Sequence, residues 1–472
     1  MKSQNPETLK HLLVIPDNSA YWTLWCIDFI KKAINGNDEI IILDLRGFIP
    51  RRYDGNSRHI LYKLNRKNRV EAILRKLVAQ NNIELLRPRD RSHSYLPNGI
   101  IRMKNEGVTF LNALDSQYFE EVNERIVSES QLEAQFLSRA TSIYDRVSSI
   151  TSQVLVEKDI RSLTIPGGRT LIPTAAIAAA QNLGIPCSIL EAAPIVPLAY
   201  LEYPANFRHN NQFIQGEIDR CWRNADNLKY EIAKEYLDQK LYPKDRGDLD
   251  FFNSFVDEKS LPISQDKKLA AIFVGSGFEM VPTEPIADDI EISKRRQEQI
   301  IRLFCKVARE NGFKVVLRGH PPTKGREGLF EIEDKVWSRF CVENGATYLA
   351  SNSGINSYKL MCESKINAVY ASSAGIDSII QGTNTVVLGN ADFAHLVPEL
   401  CAFDEDAIRR RFASDKLVVN IEKLYPYAFF MATSGIRVSG ASISASKTLI
   451  YNGKEIGAPR TRLLSGLMKK IL

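Results

Sequence analysis

Three short clusters carry residue types suited to a phosphorylated ligand: Gly275-Ser276-Gly277-Phe278-Glu279, Arg318-Gly319-His320-Pro321 and Ser372-Ser373-Ala374-Gly375-Ile376-Asp377. Each follows an apolar run of β character, and in open α/β sheets ligands settle on loops at the carboxyl ends of strands. Backbone amides near Gly275, Ser276 and Gly277, and a helix start near Ser372 and Ser373, would neutralise phosphate oxygens. Arg318 would add a charge in fork geometry. Asp377 could accept ribose hydroxyls, and His320 could stabilise a departing phosphate, where negative charge develops. Singly, each cluster is a common turn; their shared placement is what points to one crevice.

Such chemistry also needs a base within reach of an acceptor hydroxyl. Glu191, Asp17 and Glu279 are carboxylates at strand ends, and spacing does not choose among them. Glu279 also belongs to the ligand-binding cluster around Gly275. Arg169 follows the paired glycines Gly167 and Gly168 near a helix start, where it could hold a carboxylate or phosphate, or be a plain surface arginine. His209 lies in the aromatic and amide-rich stretch Tyr200 to Trp222, suited to sugar stacking and equally to an ordinary packed loop. Asp17, Arg169 and His209 are the candidate acceptor contacts.

No P-loop, HExxH, GxSxG or complete GxGxxG pattern is present, which disfavours a kinase, zinc protease, hydrolase or simple dehydrogenase. The acidic triplets Asp248-Leu249-Asp250 and Asp404-Glu405-Asp406 follow no clear apolar strand, so a transferase without a metal and without a cofactor is the more natural chemistry.

The elements that must position these residues alternate. His11 to Ile15 reads as a strand, Tyr21 to Ile34 as a helix and Glu39 to Leu45 as a strand; Glu120 to Val154 reads as a long helix. A second β-loop-α-β unit runs from Ser162 to Glu191. After the polar stretch Ser264 to Lys268, five strand-like runs begin at Ala270, Lys314, Thr347, Ala368 and Thr385 with helical patterns between them, the mark of a doubly wound sheet. The expected domains are 1–263, 264–425 and a helical tail at 426–472 that crosses back or faces a membrane.

At 472 residues, two domains are expected, and 44% hydrophobic and 25% charged residues are enough to fill two cores. A net charge of +6 falls short of a dedicated nucleic-acid binder. Seven scattered cysteines without a CxxC pair favour reduced core thiols and a cytoplasmic setting. The polar start is unlike a signal peptide, and no apolar run reaches the roughly 20 residues that span a bilayer. Membrane contact, if any, would be peripheral, through the basic region Arg46 to Arg91 or the amphipathic tail Arg460 to Leu472.

The order Gly168-Arg169, Gly184-Ile185-Pro186, Glu191, Val274 to Glu279, Gln299, Arg318 to Pro321 and Ser372 to Gly382 resembles the bacterial capsule and surface polysaccharide glycosyltransferases of GT-B fold. This broad group includes the Kdo-transferring capsule enzymes, and the likeness covers roughly Ile165 to Ala391. The resemblance implies an α/β, GT-B-like protein with two Rossmann-like doubly wound domains facing a central cleft. It further implies a nucleotide-sugar donor in the C-terminal half and a glycan or glycolipid acceptor in the N-terminal half. By position it places donor-binding roles on Arg318, His320, Ser372, Ser373 and Asp377. Asp377-Ser378 stands where the family usually has Glu-Ala, Asn384 where it has Pro, and Gly167 where it has Asn. The base is then expected from the first domain, with Glu191 leading. The expected setting is the cytoplasm, on the inner face of the membrane, with polysaccharide assembly proteins as partners. The alternatives are a sugar-nucleotide epimerase or polyol-phosphate transferase on the same fold, and a non-catalytic partner in such an assembly.

Overall fold

The computed structural model describes residues 9–16, 20–48, 72–88, 134–168, 170–194, 198–204, 211–241, 268–275, 290–320, 327–370, 372–414, 419–443 and 449–455. Among these, two compact units form: one from the residues up to Pro204 together with those from Gly435 onward, the other from Asn211 to Ser434.

The first unit is built on a seven-stranded sheet. Its strands are β1 (Lys10–Ile15), β2 (Glu39–Asp44), β3 (Glu84–Leu86), β4 (Ser162–Pro166), β5 (Cys187–Ala192), β6 (Ala199–Pro204) and β12 (Ile436–Arg437), in the order β12-β6-β5-β4-β1-β2-β3. The pairs from β5 across to β3 are parallel, whereas β5–β6 and β6–β12 are antiparallel. Helix α1 (Ala20–Asn35) joins β1 to β2, α2 spans 72–80, and α3 (Ala134–Glu157) leads into β4. Helix α4 (Leu171–Asn182), between β4 and β5, is buried continuously from Leu171 to Ala180. Its alanines allow close approach to the neighbouring layers. Gly167, at a φ of +68° after β4, lies against the Trp22 ring, which would be 2.7 Å from any Cβ there, so both backbone and space call for glycine.

The second unit holds helices α5 (Asn211–Asn224) and α6 (Lys229–Leu241), then strands β7 (Leu269–Val274), β8 (Lys314–Arg318), β9 (Thr347–Leu349), β10 (Ile366–Tyr370) and β11 (Asn384–Val387). Intervening helices are α7 (Ile290–Glu310), α8 (Glu327–Glu343), α9 (Ser357–Glu363) and α10 (Ala374–Ile380), followed by α11 (Glu405–Ala413) and α12 (Tyr425–Thr433). All five strands are parallel, in the order β11-β10-β7-β8-β9. β7, a continuous apolar run, and β10, apolar apart from Asn367, are buried along their whole length, as strands in the middle of a covered parallel sheet should be.

The doubly wound α/β expectation is met in each unit. The units nevertheless divide elsewhere than at 263 and 425. Helices α5 and α6 belong with the second sheet, and α12 also lies in the second unit, while residues from Gly435 onward join the first. Of the expected helical tail at 426–472, residues up to Thr433 are helix, in α12, whereas the described residues beyond it form short strands: β12 extends the first sheet, and β13 (Ala441–Ile443), β14 (Leu449–Tyr451) and β15 (Lys454–Glu455) form a small antiparallel one. Tyr200 to Trp222, suited by composition to sugar stacking or to an ordinary packed loop, supplies most of β6 and of α5. The tail at 460–472 and most of 46–91 lie outside the described residues. Among the described residues, all seven cysteines are free and no helix is long and apolar enough to cross a membrane.

Candidate functional site

Because every strand of the second sheet runs the same way, the segments after β7, β8, β9, β10 and β11 emerge along one rim. β8 and β9 lie on one side of β7 and β10 and β11 on the other, so the chain reverses direction at β7 and β10, the topological switch point where ligands bind in such sheets. Gly275 ends β7 there and Ser372 and Ser373 follow β10, while Arg318 and His320 end and follow β8. The rim thus brings together six of the expected residues, Asp377 included. Ser276, Gly277 and Glu279, with Asp17, Arg169 and His209, lie outside the described residues.

Arg318 does a different job from direct phosphate binding. It is 5% exposed, and its guanidinium donates to the carbonyls of Ala350 and Ser351, the latter at 3.3 Å. Burial lowers its pKa, against the opposing influence of Tyr348 and Asp334. Asp334 grips the same turn from below: its Oδ1 accepts from the Tyr348 hydroxyl at 2.5 Å, the Ser351 hydroxyl at 2.6 Å and the Ser351 amide at 3.1 Å. Arg318 therefore fixes the turn after β9 and shapes the rim. His320, two residues on, is half-buried at the rim itself.

Ser373 is the exposed N-cap of α10, and its side chain makes no capping bond; Ser372 accepts from the Ala374 amide through Oγ at 3.3 Å. Gly375 admits no side chain, since a Cβ would lie 2.5 Å from the Phe393 ring and 2.9 Å from Val369. Asp377, expected to meet a ribose, is instead engaged by Lys240 of α6: Nζ lies 2.8 Å from Oδ1, with side chains 7% and 12% exposed. Lys240 lies 137 residues before Asp377, and strand-end spacing does not pair them. Asn384 accepts from Arg411 at 2.7 Å, so the amide standing where the resembled family has proline holds a buried arginine of α11.

The segment after β11 closes the rim. Gly389 lies under the Tyr370 ring, and α5 holds the next residues: Asn211 donates to the Asn390 carbonyl, and Gln215 donates to Asn390 Oδ1 and the Ala391 carbonyl, both at 2.9 Å. His395 Nε2 lies 3.3 Å from Asp219 of α5. Between them, burial pushes the Asp392 carboxyl up to about 6. Lys240, Asp334 and Asp392 were not singled out from sequence. Asp392 carried one faint signal, an acidic residue soon after an apolar strand.

In the first unit, Glu191 lies within β5 opposite Leu201 of β6 and is half-buried. At the carboxyl end of β2, Asp44 is bound by Arg46 through both oxygens, at 2.7 and 2.6 Å, and by Arg87 at 2.9 Å. Burial pushes the Asp44 carboxyl up, but the hydrogen bonds and charge of Arg46, with the charge of Arg87, outweigh it and hold it below its ordinary value.

No protein-family model matches the chain, and no curated protein matches it. Among solved structures, the chain is similar to the Thermosulfurimonas dismutans KpsC β-Kdo 2,7 transferase, at 14% identity and a TM-score of 0.34 over 59% of this chain and 79% of that one. It is also similar to the Methanocaldococcus jannaschii UDP-GlcNAc 2-epimerase in complex with UDP-GlcNAc and UDP, at 11% identity and a TM-score of 0.29 over 88% and 97%. A third similar structure is Acinetobacter baumannii MurG, at 10% identity and a TM-score of 0.26 over 90% and 94%.

Proposed function

We propose that this chain is a glycosyltransferase that moves a sugar from a nucleotide-sugar donor to a surface or capsular polysaccharide or a glycolipid. The donor would bind the second unit. The observation that carries this is the single rim, where Gly275, His320, Ser372 and Ser373 gather around a topological switch point. Backbone amides after β7 and β10 would take the phosphates, and His320 would stabilise the departing nucleotide phosphate as the anomeric carbon is attacked, directly or through an ion pair. Arg318 serves by holding the turn after β9 in place. The acceptor is assigned to the first unit, with Glu191 as the candidate base. Contact with the cytoplasmic face of the membrane and with polysaccharide assembly proteins belongs to the same proposal.

One observation favours a second interpretation, a non-catalytic partner: Asp377 and Arg318, two of the expected donor contacts, are committed within the protein. An epimerase or a polyol-phosphate transferase on the same fold completes the field. The test is a donor screen with product analysis, with and without acceptor glycan. A transferase releases nucleotide only when acceptor is present, an epimerase converts the sugar alone, a polyol-phosphate transferase leaves phosphate in its product, and a non-catalytic partner does none of these.

A further inference from the structure

Three side chains of the first unit meet at the end of its sheet opposite the carboxyl rim. Ser162 opens β4, His11 is the second residue of β1, and Asp38 directly precedes β2. Parallel pairing sets His11 beside Ser162, and the imidazole Nδ1 is hydrogen-bonded to the Ser162 hydroxyl. Its Nε2 lies 3.3 Å from Asp38 Oδ2, with the side chains 15% and 29% exposed. The loop that presents Asp38 is fixed by Asn37, at a φ of +64°, and by the Asp38 amide, which donates to the Ala33 carbonyl at 3.0 Å. The Phe29 ring of α1 meets the imidazole edge to face at 6.2 Å between centroids and holds its plane.

These contacts decide where the imidazole proton sits. An ionised carboxylate only accepts hydrogen bonds, so Asp38 keeps the proton of neutral His11 on Nε2. Nδ1 is left with its lone pair, and the Ser162 hydroxyl donates to it. That is the relation of a nucleophile to its general base, with a third group orienting the base, and it is recognised by geometry rather than by a sequence motif. Glu202 of β6 is on the same sheet face by register and feels the charge of His11; a carboxylate there favours the imidazolium that forms when the proton is taken. Ser162 is half-buried, so a short acyl group suits it better than a long one.

We propose that Ser162, His11 and Asp38 form a second site, in the first unit, that cleaves a short-chain carboxylic ester, with Ser162 as nucleophile, His11 as base and Asp38 as the positioning residue. Ser162 Oγ bonds to the acyl carbon as its proton passes to His11 Nδ1; the ester C–O bond breaks, and His11 gives that proton to the departing alkoxide. Water then attacks the acyl-serine and gives a proton to Nδ1; the Oγ–C bond breaks, Ser162 regains the proton, and the acid leaves. The sum is ester plus water to acid plus alcohol.

The full chain is treated with a fluorophosphonate, which phosphonylates an activated serine with loss of fluoride, and the adduct is mapped by peptide mass spectrometry. Hydrolysis of p-nitrophenyl acetate is followed in parallel. Wild type, Ser162→Ala, His11→Gln, Asp38→Asn and Asp38→Glu are compared, each checked for native melting. The expected result is an adduct on Ser162, absent in Ser162→Ala, with labelling and hydrolysis slower by about 100-fold or more in His11→Gln, the worth of a general base. Asp38→Asn should lose about 10-fold or more while Asp38→Glu keeps most of the rate, because a carboxylate is what fixes the tautomer. Equal rates in those two variants overturn the role of Asp38. An unlabelled Ser162 in the wild type overturns the proposal, whichever variants fold, as does a rate in His11→Gln equal to that of wild type.

Discussion

Gly319 lies beneath a network that leaves no room for a side chain: the Tyr348 hydroxyl, Ser351 Oγ at 3.0 Å and Asp334 Oδ1 at 3.2 Å would all crowd a Cβ there. Gly319→Ala should cost about 1–3 kcal/mol of stability, read by chemical denaturation, because those groups are tied to one another and cannot yield cheaply. Asp392 makes the opposite prediction. Its carboxyl is raised from 3.8 to about 6, so the folded state binds the proton more tightly than the unfolded one. The stability this gives is fully present below about pH 4 and is lost as pH rises through about 6. Asp392→Asn should therefore be more stable than wild type at pH 7.5, by about 1–3 kcal/mol, and hold no advantage at pH 4. Denaturation midpoints across that range check it; identical profiles would show that the carboxylate is well satisfied. At this scale the sequence revealed which residues end strands, and no more. Whether Arg318 or Asp377 faces a ligand depends on Ala350 and Lys240, which come from other parts of the chain, and strand-end spacing carries no information about them.

Helices α6 and α10 are tied by the Lys240–Asp377 pair, in which both side chains are mostly buried. Removing one partner strands a buried charge, so Lys240→Met should cost about 3–5 kcal/mol, while Lys240→Met with Asp377→Leu should recover most of that loss. A double-mutant cycle measures it, and additive losses would mean that the pair is not coupled. In the first unit, the pKa of Asp44 is depressed, which gives the opposite sign to Asp392: stability is present above the unfolded value and is lost as pH falls through the folded one. Asp44→Asn should flatten the acid limb of the stability profile. Most elements were legible because buried parallel strands carry apolar runs; β7 throughout, Val315 to Leu317 of β8 and Ala368 to Tyr370 of β10 are such cases. β6 and β12 to β15 were not. β6 ends in proline and mixes Glu202 with tyrosines, and the others are two or three residues long, too short to show a period.

On the scale of the molecule, the two doubly wound units were legible from their alternating elements, but the boundary was not. Polar composition marked Ser264 to Lys268, whereas the division follows where α5 and α6 are packed, and α6 is bound to α10 through a pair 137 residues apart in sequence. The central claim is that the rim of the second unit holds a nucleotide and that His320 serves the transfer. The most direct test is calorimetry of the full chain against nucleoside mono- and diphosphates, paired with His320→Ala assayed for glycan production in cells. Saturable binding of at least one nucleotide and loss of glycan in the variant are the expected results. No measurable binding of any of them, together with unchanged glycan in His320→Ala, would contradict it.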